Sequence, residues 1–269
     1  MPTGIGTGIS GVFDNKIGVV APSWDNKYSI DFDGVDEFLD LGNDSTLRPA
    51  VAGGVTFSCW AKWEDVTSGV SRIFSNNSMI DYYYGIAVNK NASGWITMDT
   101  GDGEGRGAGD RRTCRTDNNE LSDNTWHHIV CVWVDEDMAS WKIYIDGTAV
   151  STNTNGSGDA NAYTPGNNAY IGKRFTSAAG YMDGKLDEIG FWDTALAAAE
   201  VAALYNSGTP FDITSDYEAY ISSGDLIGYW RNGDPNGTAS YPTITDDSTN
   251  SNNGAMTNME SGDITTDVP

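Results

Sequence analysis

Residues 126–147, with the sequence WHHIVCVWVDEDMASWKIYIDG, decide the fold class of this chain. Two runs rich in Val, Ile, Trp and Tyr, at 126–134 and 141–147, are joined by the acidic connection DEDMAS. Runs of β-branched and aromatic residues on either side of a short polar turn are typical of an antiparallel hairpin. The stretch therefore predicts an all-β protein.

Similar short runs recur along the chain, and glycine is abundant, with 32 residues. They are VTFSCWAKW (55–63), RIFSN (72–76), YYYGIAVN (82–89), GWITMDT (94–100), NAYIGKRF (168–175) and MDGKLDEIGFWD (182–193). In the first run we expect one inward face and a half-buried strand. The close spacing of the next three predicts a meander. We predict a two-sheet antiparallel jelly-roll sandwich with one short helix.

Three further segments complete the prediction. YSIDFDGVDEFLDLG (28–42) alternates apolar and polar residues around Gly34 and predicts a hairpin. GDGEGRGAGDRRTCRTDNN (101–119) has no periodicity and predicts a long loop, whose acids miss the register of a calcium-binding EF-hand. TALAAAEVAALYNSG, from Thr194, predicts a helix that stops at Gly208 and packs over the end of the sandwich.

Charge and length limit the function classes. The 269 residues include 15 basic and 38 acidic ones, and the net charge of −23 repels nucleic acid and anionic membranes alike. The longest apolar run, Ile129 to Val134, is too short to span a bilayer. Because the first basic residue is Lys16, we expect a soluble chain without a secretory signal peptide. Three cysteines cannot all pair, which indicates a reduced or redox-indifferent protein.

We divide the chain into three parts. Residues 1–24 are predicted to form a glycine-rich N-terminal arm without a core of its own. Residues 25–212 are predicted to form the jelly roll. Residues 213–269 contain LIGYWRNGD (226–234) and are predicted to pair with the jelly roll.

Between Tyr28 and Gly208 the sequence resembles the laminin-G-like jelly-roll domain of the concanavalin A-like lectin/glucanase superfamily. The resemblance is carried by six blocks in register: 29–42, 57–63, 126–133, 141–150, 169–175 and 184–208. The C-terminal segment, the glycine-rich start and the closing DITTDVP are similar to structural proteins of marine tailed bacteriophages. In the C-terminal segment, LIGYWRNGD (226–234) and TITDDSTNSNNGAMTNM (243–259) resemble the strand-turn-strand that many such domains carry before the hairpin at 28–42, here placed after the domain.

The same resemblance raises the question of a glucanase. Such an enzyme needs two carboxylates that point into one cleft. Asp187 and Glu188 are adjacent, and adjacent strand residues face opposite ways, so we expect no such pair. His127 and His128 are the only histidines, and we expect one ring to be packed and the other to lie at a sheet surface. The prediction is a protein without enzymatic activity.

Calcium is the one cofactor that the resemblance implies. In the superfamily a structural calcium often lies between the first strand and the strand that matches LDEIGF, which points to Asp187 together with Asp33 and Asp36. Calcium takes several oxygen ligands, and the turn at Gly34 brings Asp33 and Asp36 together. The alternative is that these two aspartates only stabilise the turn through bonds to backbone amides.

Sugar binding is the other candidate chemistry, since aromatic faces pack against the apolar face of a pyranose. Tyr82, Tyr83, Tyr84 and Trp95 lie beside the predicted loop and are the candidate glycan-binding residues, although aromatic residues in such a sandwich are mostly core.

Our leading hypothesis is a capsid-decoration or fibre/tail component of a bacteriophage virion, with virion proteins as partners, a homo-oligomeric state and a location on the virion surface. The alternative is a lectin-like module that binds surface polysaccharide and is secreted or held at a cell surface.

Overall fold

The structure is a computed structural model. It describes residues 25–76, 84–103, 105, 109–157, 167–174, 180–232 and 241–269. The predicted N-terminal arm lies outside these residues.

The described residues form 17 strands and one α-helix. The strands are β1 (Ser29–Asp33), β2 (Phe38–Asp40), β3 (Val55–Lys62), β4 (Ser71–Ser75), β5 (Tyr84–Lys90), β6 (Ile96–Asp102), β7 (Arg111–Thr116), β8 (His127–Trp133), β9 (Lys142–Ile145), β10 (Thr148–Ala149), β11 (Thr152–Gly156), β12 (Tyr170–Ile171), β13 (Asp183–Trp192), β14 (Leu226–Trp230), β15 (Thr243–Ile244), β16 (Gly254–Thr257) and β17 (Ile264–Thr265). The helix α1 spans Ala198–Tyr205.

The strands form two antiparallel sheets, which confirms the predicted all-β sandwich. Sheet A has the order β10-β9-β8-β3-β13-β1-β17, and β14 also pairs with β13. Sheet B has the order β11-β7-β6-β5-β4-β12-β2-β16-β15. The predicted hairpin of β8 and β9 is present, and β4, β5 and β6 form the predicted meander.

The main core lies between the two sheets. Val55, Phe57, Cys59 and Ala61 all belong to it, as their alternation along β3 predicts. The ring of Phe57 stacks on that of Phe74 from sheet B, with 5.0 Å between the centroids. The prediction of a half-buried strand is wrong, because β3 is buried on both faces. The three cysteines are free and buried.

The segment at 28–42 turns at Gly34, but it is not a hairpin. β1 pairs with β13 in sheet A, whereas β2 pairs with β12 and β16 in sheet B. Gly34 has φ +73°, and a Cβ atom there would lie 2.8 Å from the Cβ of Asp183. Glycine is required because the chain crosses closely between the sheets at this corner.

The helix covers the outer face of sheet A, not the end of the sandwich. Val201 and Leu204 pack with Val130 and Tyr144 in a second hydrophobic cluster. The helix ends at Tyr205, before the predicted stop at Gly208, because Asn206 already takes the left-handed conformation, with φ +45°.

The C-terminal segment pairs with strands of both sheets. β14 pairs with β13 and β17 with β1 in sheet A, while β16 pairs with β2 in sheet B. No helix among the described residues is long and apolar enough to cross a membrane.

Candidate functional site

The outer faces of the two sheets differ in character. That of sheet A is covered by the second hydrophobic cluster, to which α1 and the segment around Phe211 and Tyr220 contribute. On the outer face of sheet B, strands β4 to β7 and β11 carry polar side chains around a cavity of about 480 Å³. The outer face of sheet B is therefore the candidate ligand-binding surface.

Cross-strand register builds this cavity. One row of directly opposed residues runs across five strands and comprises Arg72, Asn89, Thr97, Arg115 and Asn153. Residues directly opposite each other in a sheet project their side chains on the same face. The row therefore forms a continuous polar strip.

A second row adds Asp99, Thr113 and Asn155, and Arg111 lies one row further on. We call the surface made by these two rows and Arg111 the arginine groove. All nine side chains line the cavity.

Hydrogen bonds hold the middle of the groove in place. Arg72 Nη1 donates to Asn89 Oδ1 at 2.9 Å, and Asn89 Nδ2 donates to Asp99 Oδ2 at 3.2 Å. The Thr113 hydroxyl donates to Asp99 Oδ1. This chain of bonds orders side chains on four adjacent strands, which reduces the entropy lost when a ligand binds.

The groove carries positive charge in an acidic protein. Its described lining contains three arginines, Arg72, Arg111 and Arg115, and one carboxylate, Asp99. Burial raises the pKa of Asp99, and the positive charges of Arg111, Arg72 and Arg174 oppose that rise.

Two of the predicted glycan-binding residues are described, and the structure does not bring them together. Tyr84 pairs with Asp102 at one end of the β5–β6 hairpin, and Trp95 precedes Ile96 at the other end. The guanidinium of Arg115 lies over the Trp95 ring, so Trp95 borders the groove. Tyr82 and Tyr83 lie outside the described residues.

The three predicted calcium ligands do not fit one shared ion. Asp33 is opposite Asp183, four residues before Asp187 on β13, which is a separation of about 13 Å along a strand. Asp187 Oδ2 accepts from Asn26 Nδ2 at 2.8 Å, and its Oδ1 accepts from Asn232 Nδ2 and from the Glu188 amide. These N–H donors occupy the positions that a cation would take. Within the described part of the chain, no three acidic, His or Cys side chains are placed to hold a metal.

The hydrogen bonds at Gly34 agree with the alternative explanation, in which Asp33 stabilises the turn through a bond to a backbone amide. Asp33 Oδ1 accepts from the Val35 amide at 2.8 Å, and the Asp36 carbonyl accepts from Asn258 Nδ2 at 3.1 Å. Calcium at this turn stays a prediction.

Asp33 also lines a second cavity, of about 440 Å³, together with the acidic residues Glu37, Asp183 and Asp263. Burial raises the pKa of Glu37 to about 7, and repulsion from Asp263 and Asp33 adds to the rise. The Asp33 amide donates to Glu37 Oε2 at 2.8 Å, which opposes it.

The expectation that Asp187 and Glu188 face opposite ways is wrong. A β-bulge follows Asp187, and Glu188 has φ +47°. Asp187 is opposite Trp60, and Glu188 lines a small cavity with the same Trp60, so both acids lie on the outer side of sheet A. Both are engaged, because Glu188 accepts from the Tyr229 hydroxyl and lies 4.0 Å from the Arg231 Nε.

Both histidines are buried, whereas one was expected at the sheet surface. His127 Nδ1 lies 2.8 Å from Asp146 Oδ2, and its Nε2 accepts from the Ser122 amide. His128 Nε2 lies 2.8 Å from the Ser58 hydroxyl, and burial lowers the pKa of His128 to about 4. Neither ring is open to a substrate.

The sequence does not reveal the arginine groove, because the glycine-rich composition of residues 101–119 predicts a loop where the structure has strands. In the structure β6 extends to Asp102, and RRTCRT (111–116) forms β7. Cys114 points into the core, while Arg111, Thr113 and Arg115 point outward. Cys114 is the one apolar residue among these six, so the sequence offers no clear period-2 alternation from which the strand could be predicted.

Comparison with known proteins agrees with this architecture. Residues 33–202 match a laminin-G family model described as "Concanavalin A-like lectin/glucanases superfamily". No curated protein is similar to the chain in sequence.

Solved structures are similar to this chain at low sequence identity. A Bacteroides ovatus protein assigned as carbohydrate-binding is 18% identical, with a TM-score of 0.50 over 91% of this chain and 59% of its own, so this chain spans less than two thirds of that protein. The Ruminococcus gnavus sialidase CBM40, solved with α2,3-sialyllactose, is 13% identical, with a TM-score of 0.48 over 66% of this chain and 96% of its own. A Limulus polyphemus SAP-like pentraxin is 18% identical, with a TM-score of 0.41 over 67% of this chain and 82% of its own.

The family model covers more than half of the chain. The chain belongs to the concanavalin A-like lectin/glucanases superfamily.

Proposed function

We propose that this chain is a carbohydrate-binding module and that the arginine groove is its binding surface. The observation that carries the proposal is the row of five opposed polar residues, from Arg72 to Asn153, on the outer face of sheet B. Guanidinium, amide and hydroxyl groups in one row offer donors and acceptors to the many hydroxyl groups of a sugar. Membership of a superfamily of lectins and glucanases supports the proposal that the groove binds carbohydrate.

The module binds without catalysis in this proposal. Both carboxylates considered for hydrolysis are engaged inside the protein, Asp187 by two asparagine amides and Glu188 by Tyr229. The groove itself contributes a single carboxylate from its described lining, Asp99, whereas glycoside hydrolysis needs two. Binding of surface polysaccharide would place the protein outside the cell or on a surface.

A panel of neutral and acidic glycans tests the proposal. Asn153 and Asn155 are exposed on the edge strand β11, so the double change Asn153→Ala and Asn155→Ala removes two groove amides with little effect on the fold. Loss of two hydrogen bonds should weaken glycan binding by roughly tenfold. Thr148→Ala, exposed on the edge strand β10 of sheet A, is the matched control and should leave binding unchanged.

Absence of binding to every glycan in the panel would contradict the proposal. Binding that Asn153→Ala with Asn155→Ala does not weaken would also contradict it, since the binding surface would then lie elsewhere.

A further inference from the structure

Charge distribution separates the arginine groove from the rest of the protein. The chain has 38 acidic and 15 basic residues, yet the described lining of the groove carries three arginines against one aspartate. A neutral sugar needs donors and acceptors but no net charge. A concentration of guanidinium groups therefore calls for a ligand with negative charge.

Resting on the proposed function, we propose that the ligand of the arginine groove is an acidic glycan, with carboxylate or sulfate groups along the chain. The planar guanidinium presents paired N–H donors that match two oxygens of such a group. Arg72 and Arg115 lie in the same row, with Asn89 and Thr97 between them, and Arg111 lies on the same strand as Arg115.

The spacing of the arginines indicates an oligosaccharide. Arg72 and Arg115 are three strand spacings apart, and Arg111 is four residues from Arg115, so each separation is about 14 Å at the backbone. Each guanidinium pairs its N–H donors with two oxygens, so three guanidinium groups at these spacings are best matched by more than one acidic group. A chain with repeated acidic groups can contact them in turn.

Asp99 defines the centre of this arrangement. Its two oxygens accept hydrogen bonds from Asn89 and Thr113, and it lies in the row between Arg72 and Arg111. A second carboxylate placed there would be repelled, whereas a sugar hydroxyl can donate to it. The ligand's acidic groups should therefore lie at the arginines and its hydroxyl groups over Asp99.

Isothermal titration calorimetry with matched probes tests this inference. The probes are oligogalacturonate, its carboxyl-reduced neutral counterpart, sulfated dextran oligosaccharide and unsulfated dextran. We expect at least one acidic probe to bind about tenfold more tightly than its neutral counterpart. The preference should shrink as salt is added, because salt screens exposed charges. Preference for the carboxylated or for the sulfated probe identifies the acidic group.

Variants of β7 test which arginines cause the preference for acidic probes. Arg111→Gln and Arg115→Gln should each weaken binding of the preferred acidic probe by about tenfold and leave the neutral probes unaffected. Arg112→Gln is the matched control: it removes the same charge from the same strand, but Arg112 donates to the Glu136 carbonyl and does not line the groove. It should change the affinity by less than twofold.

The outcomes separate the inference from the proposed function. Neutral probes that bind as tightly as acidic ones, with binding lost in the Asn153→Ala and Asn155→Ala protein, would overturn the acidic ligand and keep the carbohydrate-binding groove. Acidic probes that bind equally well to Arg111→Gln, Arg115→Gln and wild type would also overturn it. If no glycan binds at all, both proposals are wrong.

Discussion

The Arg115 guanidinium lies 4.5 Å from the centroid of the Trp95 ring. This cation–π contact joins β7 to the residue that precedes β6, and it fixes the head group of an arginine on the arginine groove. One face of the tryptophan ring is therefore used by the protein itself. We infer that Trp95 serves ligand binding through Arg115 more than through stacking on a sugar.

Replacing Trp95 should consequently have a modest effect on both affinity and stability. Trp95→Ala frees the Arg115 side chain, and we expect acidic glycans to bind a few-fold more weakly, with a loss of about 1 kcal/mol in the free energy of unfolding. Calorimetry and urea denaturation measure the two effects. Unchanged affinity would show that Arg115 does not depend on the ring.

Asp187 should be essential to the fold rather than to metal binding. Asp187→Ala leaves Asn26, Asn232 and the Glu188 amide without their acceptor, and we expect a loss of about 3 kcal/mol in the free energy of unfolding. Asp33→Ala, in the turn, should cost about 1 kcal/mol or less. Equal effects of the two changes in urea denaturation would contradict this assignment.

The stability of the protein should depend on pH through Glu37. Its pKa is about 7 in the folded protein and 4.5 ordinarily, so the folded state binds more protons between these values. The contribution of Glu37 to the free energy of unfolding is therefore fully present below pH 4.5. It is lost as the pH rises to about 7. Glu37→Gln should flatten that decrease. Thermal unfolding measured across this range, for both proteins, gives the difference.

Trp230 should hold the C-terminal segment to the sandwich. Its side chain is buried in the main core, and its Nε1 donates to the Asn252 carbonyl at 2.9 Å. Trp230→Ala should lower the free energy of unfolding by about 3 to 5 kcal/mol. Ile221→Ala, at an exposed position of the same segment, should change it by less than about 0.5 kcal/mol. A small effect of Trp230→Ala would show that the segment is dispensable.

The role in a virus particle and the homo-oligomeric state stay predictions of the sequence. Deleting Met1 to Ser10 should leave the domain folded, because these residues have too few apolar side chains for a core, but should prevent incorporation into particles. Mass spectrometry of purified particles and circular dichroism of the shortened protein measure the two effects. Normal incorporation of the shortened protein would contradict the role of the arm.

Much of the fold was predictable because it depends on local periodicity. The alternation of Val55, Phe57, Cys59 and Ala61, and the paired runs at 126–134 and 141–147, are sequence signals of strands and of a buried face. The same signal failed at 28–42, since alternation reports a strand but not the sheet to which it belongs. Only the pairing of β1 with β13 in sheet A and of β2 with β12 in sheet B shows that the chain changes sheets there.

The candidate site depended on tertiary structure. Sequence alone determined that this chain is acidic, all-β and rich in aromatic residues. It also identified Trp95 and Asp187 as candidate site residues. It did not reveal the arginine groove, because Arg72, Asn89, Thr97, Arg115 and Asn153 are spread over 82 positions, with only one of them in each strand. They become one surface through the register of five strands, which is set by backbone hydrogen bonds between distant segments and by burial of the opposite face.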